Sequence, residues 1–121
     1  MLAAPIPAIA SQPYGMWSKG NVTVKVANCG GKLCGNIVAL QTTRAKSDGN
    51  NPDVSKRNRS LIGLPVLIEM KPTGDGEWRG FIYNPVDGNT YAATISILGN
   101  TLVVIGCLDG GFCSINKFAR K

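Results

Sequence analysis

The sequence predicts a small all-β protein, a single eight-stranded antiparallel up-and-down barrel. The chain has 121 residues, the length of one domain, and its 15 glycines and 7 prolines are scattered rather than clustered. Apolar residues recur at every second position in short segments, and no segment keeps the 3.6-residue period of a helix. Eight consecutive strands joined by short turns leave two sheet edges unpaired unless the sheet closes on itself. We therefore expect a closed barrel.

Turn residues separate the eight predicted strands. Val22, Val24 and Val26 alternate with Thr, Lys and Ala, which is typical of a strand with one buried face. The most apolar segment contains Pro65, which cannot donate a ladder hydrogen bond, so we expect an edge strand or a bent strand there. The predicted strands cover residues 14–19, 22–28, 33–41, 61–70, 78–84, 90–98, 101–107 and 113–120.

Four cysteines lie in two pairs that are close in the sequence. Three pairings are open, and the simplest links Cys29 to Cys34 and Cys107 to Cys113. Each of these disulfides would link the two ends of a turn that contains two glycines. The alternative is a zinc site with four thiolates, although the usual two-residue spacing between ligands is missing. Disulfides would indicate an oxidising compartment.

The first thirteen residues differ in composition from the rest of the chain. Residues 2–10 are apolar with small side chains, and Ala8-Ile9-Ala10 fits a signal-peptide cleavage site before Ser11. We expect residues 1–13 to be the tail of a signal peptide or a flexible leader, and residues 14–121 to form the single domain. Together with the disulfides, this segment predicts a periplasmic or secreted protein.

Composition excludes several kinds of chemistry. Histidine is absent, so neither a Ser-His-Asp triad nor a histidine-ligated metal site can form. Four of the seven carboxylates precede glycine, where aspartate stabilises turns by bonding to nearby backbone. They are Asp48, Asp75, Asp87 and Asp109. We predict a protein without enzymatic activity, cofactor or metal.

Positive charge concentrates in the longest predicted loop, residues 42–60. The net charge of the chain is +6, and this loop holds five basic residues against two acidic ones. Aromatic residues are not interleaved with the basic ones, so nucleic acid is not an expected partner. No apolar run in the sequence is long enough to span a membrane.

Several motifs resemble those of a known family. Gly15-Met16-Trp17 resembles the Gly-x-Trp signature that opens the first strand of lipocalins and other calycins. The longest matching stretch is 78–91, WRGFIYNPVDGNTY, and further matches occur around Cys29 and Cys34 and over residues 102–107 and 113–120. These residues resemble a bacterial family of small exported proteins of unknown function, described as lipocalin-like. Phe118 departs from the pattern, which has tryptophan there.

The resemblance implies a lipocalin-like barrel and export, and it implies no reaction. In barrels of this type a tryptophan of the first strand and a late basic residue close one end, which here indicates Trp17 with Arg120. Lys117 or Lys121 could replace Arg120 in that role. We expect this contact to be structural.

Two sets of residues are candidates for binding a ligand. Phe81 and Tyr83 share one face of a predicted strand, and Tyr91 follows on the next, so they form either core or cavity wall. The long basic loop is the natural lid over an open barrel mouth, where cations would meet an anionic head group. The basic candidates are Arg44, Lys46, Arg57 and Arg59.

The predicted function is therefore non-enzymatic binding of a small hydrophobic or amphiphilic molecule, which could carry an anionic head. Short strands predict a narrow interior, so we expect any cavity to be small. The alternative is an interaction protein of the cell envelope whose barrel is filled by its own side chains.

Overall fold

The computed structural model describes residues 12–41 and 46–121, and it forms a closed barrel of eight antiparallel strands. Each strand pairs with the next along the chain, and the last pairs with the first. The predicted fold class is confirmed. The strands are β1 Gly15–Lys19, β2 Val22–Cys29, β3 Lys32–Leu40, β4 Leu67–Gly74, β5 Glu77–Asn84, β6 Asn89–Leu98, β7 Thr101–Cys107 and β8 Cys113–Arg120.

The one helical segment in the described residues is a 3₁₀ turn, Val54–Lys56, within the connection between β3 and β4. The Asp53 side chain caps it by accepting a hydrogen bond from the Ser55 N–H at 3.0 Å. Within residues 12–41 and 46–121, no helix is long and apolar enough to cross a bilayer.

The two ends of the barrel are built differently. Because the strands alternate in direction, the connections after β2, β4 and β6 lie at the end where the chain enters and leaves the barrel. We call this the closed end. The connections after β1, β3, β5 and β7 lie at the opposite end, which we call the open end. The long connection between β3 and β4 therefore belongs to the open end.

Most of the core consists of apolar side chains that point inward at alternating strand positions. Trp17, Met70 and Ile95 are fully buried, and four valines and three leucines are among the other buried residues. The buried apolar residues form one cluster: Trp17, Val24, Val26, Leu33, Ile37, Leu64, Val66, Met70, Tyr83, Ala93, Ile95, Leu102 and Val104.

The predicted strand over residues 61–70 is wrong in its bounds. Gly63 takes a left-handed conformation with φ of +89°, which turns the chain before Pro65. Residues 61–66 therefore run beside β3 through isolated hydrogen bonds, and the regular strand begins at Leu67. It then continues to Gly74, beyond the predicted end.

Both predicted disulfides are confirmed. Cys29 is bonded to Cys34 in the turn between β2 and β3 at the closed end. Cys107 is bonded to Cys113 across the turn between β7 and β8 at the open end. All four sulfurs are used in these bonds, so no thiolate is left to ligate zinc.

Trp17 and Arg120 lie together at the closed end, where β1 pairs with β8. The Trp17 side chain is fully buried, and its indole N–H donates to the Pro13 carbonyl at 2.7 Å. The Arg120 guanidinium lies 4.2 Å from the centroid of the indole ring, a cation–π contact. It also donates to the carbonyls of Tyr14 at 3.0 Å and Gln12 at 2.6 Å.

The entering chain is thus part of the closed end. The predicted leader, residues 1–13, lies outside the described residues except for Gln12 and Pro13. These two residues contact the barrel through their carbonyl groups.

Replacing Trp17 by alanine should lower the free energy of unfolding by about 3–5 kcal/mol, because it removes a fully buried aromatic side chain that closes one end of the core. Denaturant unfolding measures this change. Met16→Ala is the matched control, since Met16 is the exposed neighbour on the same strand and its loss should cost much less. Equal midpoints for the wild type and Trp17→Ala would contradict the closing role.

Candidate ligand-binding site

The barrel encloses a cavity of about 700 Å³. Its wall is mainly apolar, and Trp17 forms part of it toward the closed end. The expectation of a small cavity is wrong, because this volume lies within the range of ordinary ligand sites. Many inward positions are valines, which leave the centre of the barrel open. The apolar lining includes Val22, Val24, Val26, Ile37, Leu40, Val66, Leu67, Ile82, Ile95, Leu102, Val104 and Phe118.

The mouth of the cavity is polar. Apart from two tyrosines and Asn116, which lies in the middle of β8, the polar lining residues lie on connections or strand ends at the open end: Lys19, Asn21, Ser47, Asn50, Asn84 and Ser114. Lys19 is the one charged residue among the described residues that line the cavity. Its ammonium donates a hydrogen bond to the Asn116 side-chain oxygen across the end of β1. An apolar interior below a rim of amides and one cation can hold an amphiphile.

The three aromatic candidates do not lie together. Ile82 pairs with Tyr91 of β6, and both line the cavity. Because neighbours on a strand face opposite sides, Phe81 and Tyr83 lie on the other face of β5. Phe81 is 46% exposed and lies outside the cavity. Tyr83 is buried because the long connection covers it, and it touches the cavity only at the mouth end of β5.

The Tyr91 hydroxyl donates a hydrogen bond to the Asp87 carboxylate in the turn between β5 and β6. This bond, together with some burial, raises the pKa of Tyr91 above its ordinary value. The phenol is therefore neutral at physiological pH and lies in the cavity wall as a polar contact near the mouth.

A fully buried carboxylate joins the long connection to the barrel. Asp48 accepts hydrogen bonds from the Tyr83 hydroxyl at 2.7 Å, the Asn51 amide at 2.8 Å and the Arg59 guanidinium at 3.2 Å. Its side chain has no exposed surface, and the Arg59 side chain covers it from the solvent side. We call these four residues the Asp48 cluster.

The charges within the Asp48 cluster stabilise one another. Burial alone would raise the pKa of Asp48, but the hydrogen bonds from Asn51, Tyr83 and Arg59, with the charge of Arg59, lower it below the ordinary value. Burial and the adjacent carboxylate raise the pKa of Tyr83 to about 12. Asp48 is therefore ionised and Tyr83 neutral across the physiological range.

No motif in the sequence predicts this cluster. Asp48 precedes Gly49, as the other turn aspartates precede glycine, and we predicted a turn role for it. Its carbonyl does accept a turn hydrogen bond from the Asn51 N–H at 3.1 Å, but its side chain points to β5 instead of the local backbone. Asp48 differs from the other turn aspartates by its hydrogen bond with Tyr83, and Tyr83 is 35 residues away in the sequence.

Among the described residues of the long connection, no basic residue lines the cavity. Arg59 is paired with Asp48, and its guanidinium lies 5.9 Å from the Tyr83 ring. Arg57 donates to the Asn51 carbonyl at 2.8 Å, and Lys46 is exposed on the surface. Arg44 lies outside the described residues. The structure therefore places a different cation, Lys19, at the cavity mouth.

The long connection also contacts the turn between β5 and β6. The Asn50 amide donates to the Val86 carbonyl at 2.8 Å. Gly88 has a φ of +73°, and a methyl group there would overlap the Asn50 carbonyl oxygen. Ser47, Asn50 and Leu61 consequently form one side of the cavity mouth.

Eight antiparallel strands closed around an apolar cavity define a lipocalin-like barrel. A match over residues 15–120 identifies the family: the chain belongs to DUF2147, a family of uncharacterized proteins conserved in bacteria. The resemblance seen in the sequence is confirmed.

Among solved structures, the barrel is similar to the protein HP1028 from the human pathogen Helicobacter pylori, which is described as belonging to the lipocalin family. The TM-score is 0.75 at 23% sequence identity, over 88% of this chain and 79% of that one. At this identity the similarity concerns the fold. A comparison with curated proteins found no match.

The Asp48→Asn and Tyr83→Phe variants should each lose about 1–3 kcal/mol of unfolding free energy, since each leaves buried polar partners unsatisfied. The double variant should lose less than the sum, because both changes act on the same hydrogen bond. Denaturant unfolding of all four proteins measures this coupling. Asp109→Asn is the control, because Asp109 is exposed in a turn. Additive losses would contradict a shared contact between Asp48 and Tyr83.

Acid should remove the contribution of Asp48. Because the pKa of Asp48 is lower in the folded protein than in the unfolded chain, ionised Asp48 stabilises the fold above about pH 4. This contribution declines as the pH falls through the folded-state pKa. The wild type should therefore lose more stability than Asp48→Asn between neutral and strongly acidic pH, as thermal unfolding over a pH series would show. Parallel pH profiles would contradict the assignment.

Proposed function

We propose that this protein is an exported, non-enzymatic binding protein for a small amphiphile with an apolar chain and an anionic head group. The observation that carries the proposal is the cavity of about 700 Å³, which is apolar inside and has one lysine at a polar mouth. Ligand sites of this size usually combine an apolar wall with a few polar groups that fix orientation.

The apolar chain would occupy the barrel interior. Val24, Ile37, Val66, Ile95 and Val104 line this space and offer only hydrocarbon surface to an occupant. Each methylene group transferred from water to such surroundings contributes up to about 0.8 kcal/mol. Trp17 forms part of the wall toward the closed end, so the chain would enter from the open end.

The anionic head would remain at the mouth, beside Lys19. The Lys19 ammonium is held by the Asn116 side-chain oxygen, and none of the ion pairs found in the described residues involves Lys19. Asn21 and Asn116 can add amide hydrogen bonds to a carboxylate or phosphate. In this proposal Lys19 takes the head-group role that the sequence analysis gave to the basic residues of the long connection. Arg59 is hydrogen-bonded to Asp48, and Arg57 is hydrogen-bonded to a backbone carbonyl.

Export is proposed from the two disulfides and the bacterial family. Disulfides persist in the periplasm and outside the cell, and they are rare in the reducing cytosol. We propose a periplasmic or secreted location on these grounds.

The alternative of a cell-envelope interaction protein assumed a barrel filled by its own side chains. A cavity of about 700 Å³ is at odds with that assumption. A catalytic role also finds little support, because the buried carboxylate, Asp48, is saturated with hydrogen bonds in the contact between the long connection and β5.

Titration of the delipidated protein with a fluorescent fatty acid tests the proposal. Lys19→Gln should weaken binding by roughly 1.5–3 kcal/mol, the range for a hydrogen bond to a charged group. Binding of the matching fatty alcohol should hardly change, because it has no anionic head. Lys25→Gln is the matched control, since Lys25 is exposed on β2 and does not line the cavity.

Three results decide the test. Absence of binding by the wild type would refute the proposed function. Equal losses in Lys19→Gln and Lys25→Gln would indicate a general charge effect and refute the head-group role of Lys19. A loss confined to Lys19→Gln that fades at high salt would support it.

A further inference from the structure

One edge of β8 has no strand beside it at the open end. β8 pairs with β7 over its whole length, but it pairs with β1 only through Ala119 and Arg120, because β1 ends at Lys19. Within the described residues, the segment 113–117 therefore has a partner strand on the β7 side alone. We call this segment the free edge. It leaves a gap in the barrel wall between β8 and the turn that follows β1.

The backbone groups of Ile115 point into this gap. Lys121 donates its N–H to the Met16 carbonyl at 2.9 Å, on the β1 side. Arg120 donates its N–H to the Asn100 carbonyl at 3.0 Å, on the β7 side. Alternate residues of a paired strand direct N–H and C=O to the same side, and the register of β8 is regular, so Ile115 has the direction of Lys121. No described backbone group bonds to Ile115 on that side.

The cavity reaches both sides of the gap. Ser114 and Asn116 of the free edge line it on one side, and Lys19 and Asn21 line it on the other. The Lys19 ammonium spans the gap, because it donates a hydrogen bond to the Asn116 side-chain oxygen. The free edge therefore lies at the part of the mouth where we place the anionic head group.

An unpaired strand edge can bind a ligand that both donates and accepts hydrogen bonds. In an antiparallel pair, the N–H and C=O of one residue bond to the C=O and N–H of the residue opposite. The carboxylate of a fatty acid can accept from the Ile115 N–H, but it has no proton to donate to the Ile115 carbonyl. An amino acid in amide linkage carries an N–H and a carboxylate on the same side when it is extended, so it can bond to both groups.

We infer that the ligand is an N-acylated amino acid whose amino-acid part pairs with Ile115 and whose acyl chain fills the cavity. The amide N–H donates to the Ile115 carbonyl, and the carboxylate accepts from the Ile115 N–H beside the Lys19 ammonium. The inference deepens the proposed function and rests on it, since the apolar chain and the anionic group keep the places proposed above.

The direction of β8 agrees with this arrangement. β8 runs from Cys113 at the open end to Arg120 at the closed end. A ligand that pairs with it in the antiparallel sense has its carboxylate toward the open end and its acyl chain toward the interior. Beyond Ile115 the gap ends at the turn after β1, so the chain would pass inward, where Phe118 and Val22 line the cavity.

Displacement of the fluorescent fatty acid by three ligands of equal acyl length tests the inference. They are N-dodecanoylglycine, its ester analogue O-dodecanoylglycolate, and dodecanoic acid. The wild type should bind the amide at least ~tenfold more tightly than the ester, because the ester oxygen cannot donate to the Ile115 carbonyl and leaves it unpaired.

Ile115→Pro tests the contact on the side of the protein. Proline is tolerated at a strand edge where the N–H has no partner, and its ring occupies the position that the ligand carboxylate takes. This variant should lose most of the preference for the amide over the ester. Ile115→Thr is the matched control, because it keeps the N–H and a branched side chain that favours strands, and it should keep the preference.

Amide hydrogen exchange of the wild type measures the same contact without a substitution. The Ile115 amide should exchange rapidly in the ligand-free protein, whereas the Asn116 amide, which faces β7, should be protected. Bound N-dodecanoylglycine should slow exchange at Ile115 at least ~tenfold, and it should slow exchange at Lys117, the next residue directed into the gap, by less.

Four results would contradict the inference. Equal affinities for the amide and the ester, with dodecanoic acid still bound, would refute the pairing and leave the proposed function intact. Absence of binding by all three ligands would refute both. An unchanged preference in Ile115→Pro would refute the role of Ile115. Slow exchange at Ile115 in a ligand-free dimer would mean that the free edge pairs with a second copy of the chain.

Discussion

Closure of the sheet between β1 and β8 is the constraint on which the rest of the structure depends. An open eight-stranded sheet would expose two edges and the inner apolar face, and it could not enclose a cavity. β1 pairs with β8 only through Trp17 with Arg120 and Ser18 with Ala119. The stacking of Arg120 on Trp17 strengthens this short contact. Arg120 also holds the entering chain through the Gln12 and Tyr14 carbonyls, so one side chain joins both termini of the barrel.

The two ends of the barrel differ in how they are stabilised. At the closed end, an aromatic ring fills the space between strands, and its single polar atom is bonded to the Pro13 carbonyl. At the open end, a long connection must be held in place without filling the interior. A buried carboxylate achieves this only when each of its oxygens is bonded, which Tyr83, Asn51 and Arg59 accomplish for Asp48. The described part of the connection, residues 46–66, is thereby fixed against β5.

Local patterns predicted what depends on neighbours in the sequence. The alternation of apolar residues and the glycine turns predicted eight strands in a closed barrel, and the spacing of the cysteines predicted both disulfides. Features that depend on contacts between distant segments were not predicted. Alternation alone does not say which face of β5 is inward, so the prediction for Phe81, Tyr83 and Tyr91 left open whether they form core or cavity wall. In the sequence, Arg59 has the features of a cation on a solvent-exposed loop. Its carboxylate partner, Asp48, is recognisable only in the folded connection.

The cavity itself sets a condition on stability. Close packing normally contributes dispersion contacts throughout a core, and a barrel with about 700 Å³ of open interior forgoes many of them. Contacts outside the interior must then hold the barrel together: strand pairing, two disulfides, the Trp17 and Arg120 stack and the Asp48 cluster. These contacts lie in the wall and at the two ends, where they do not compete for the space. A ligand that filled the cavity, as proposed, would restore the missing contacts, and binding would then raise the stability of the barrel.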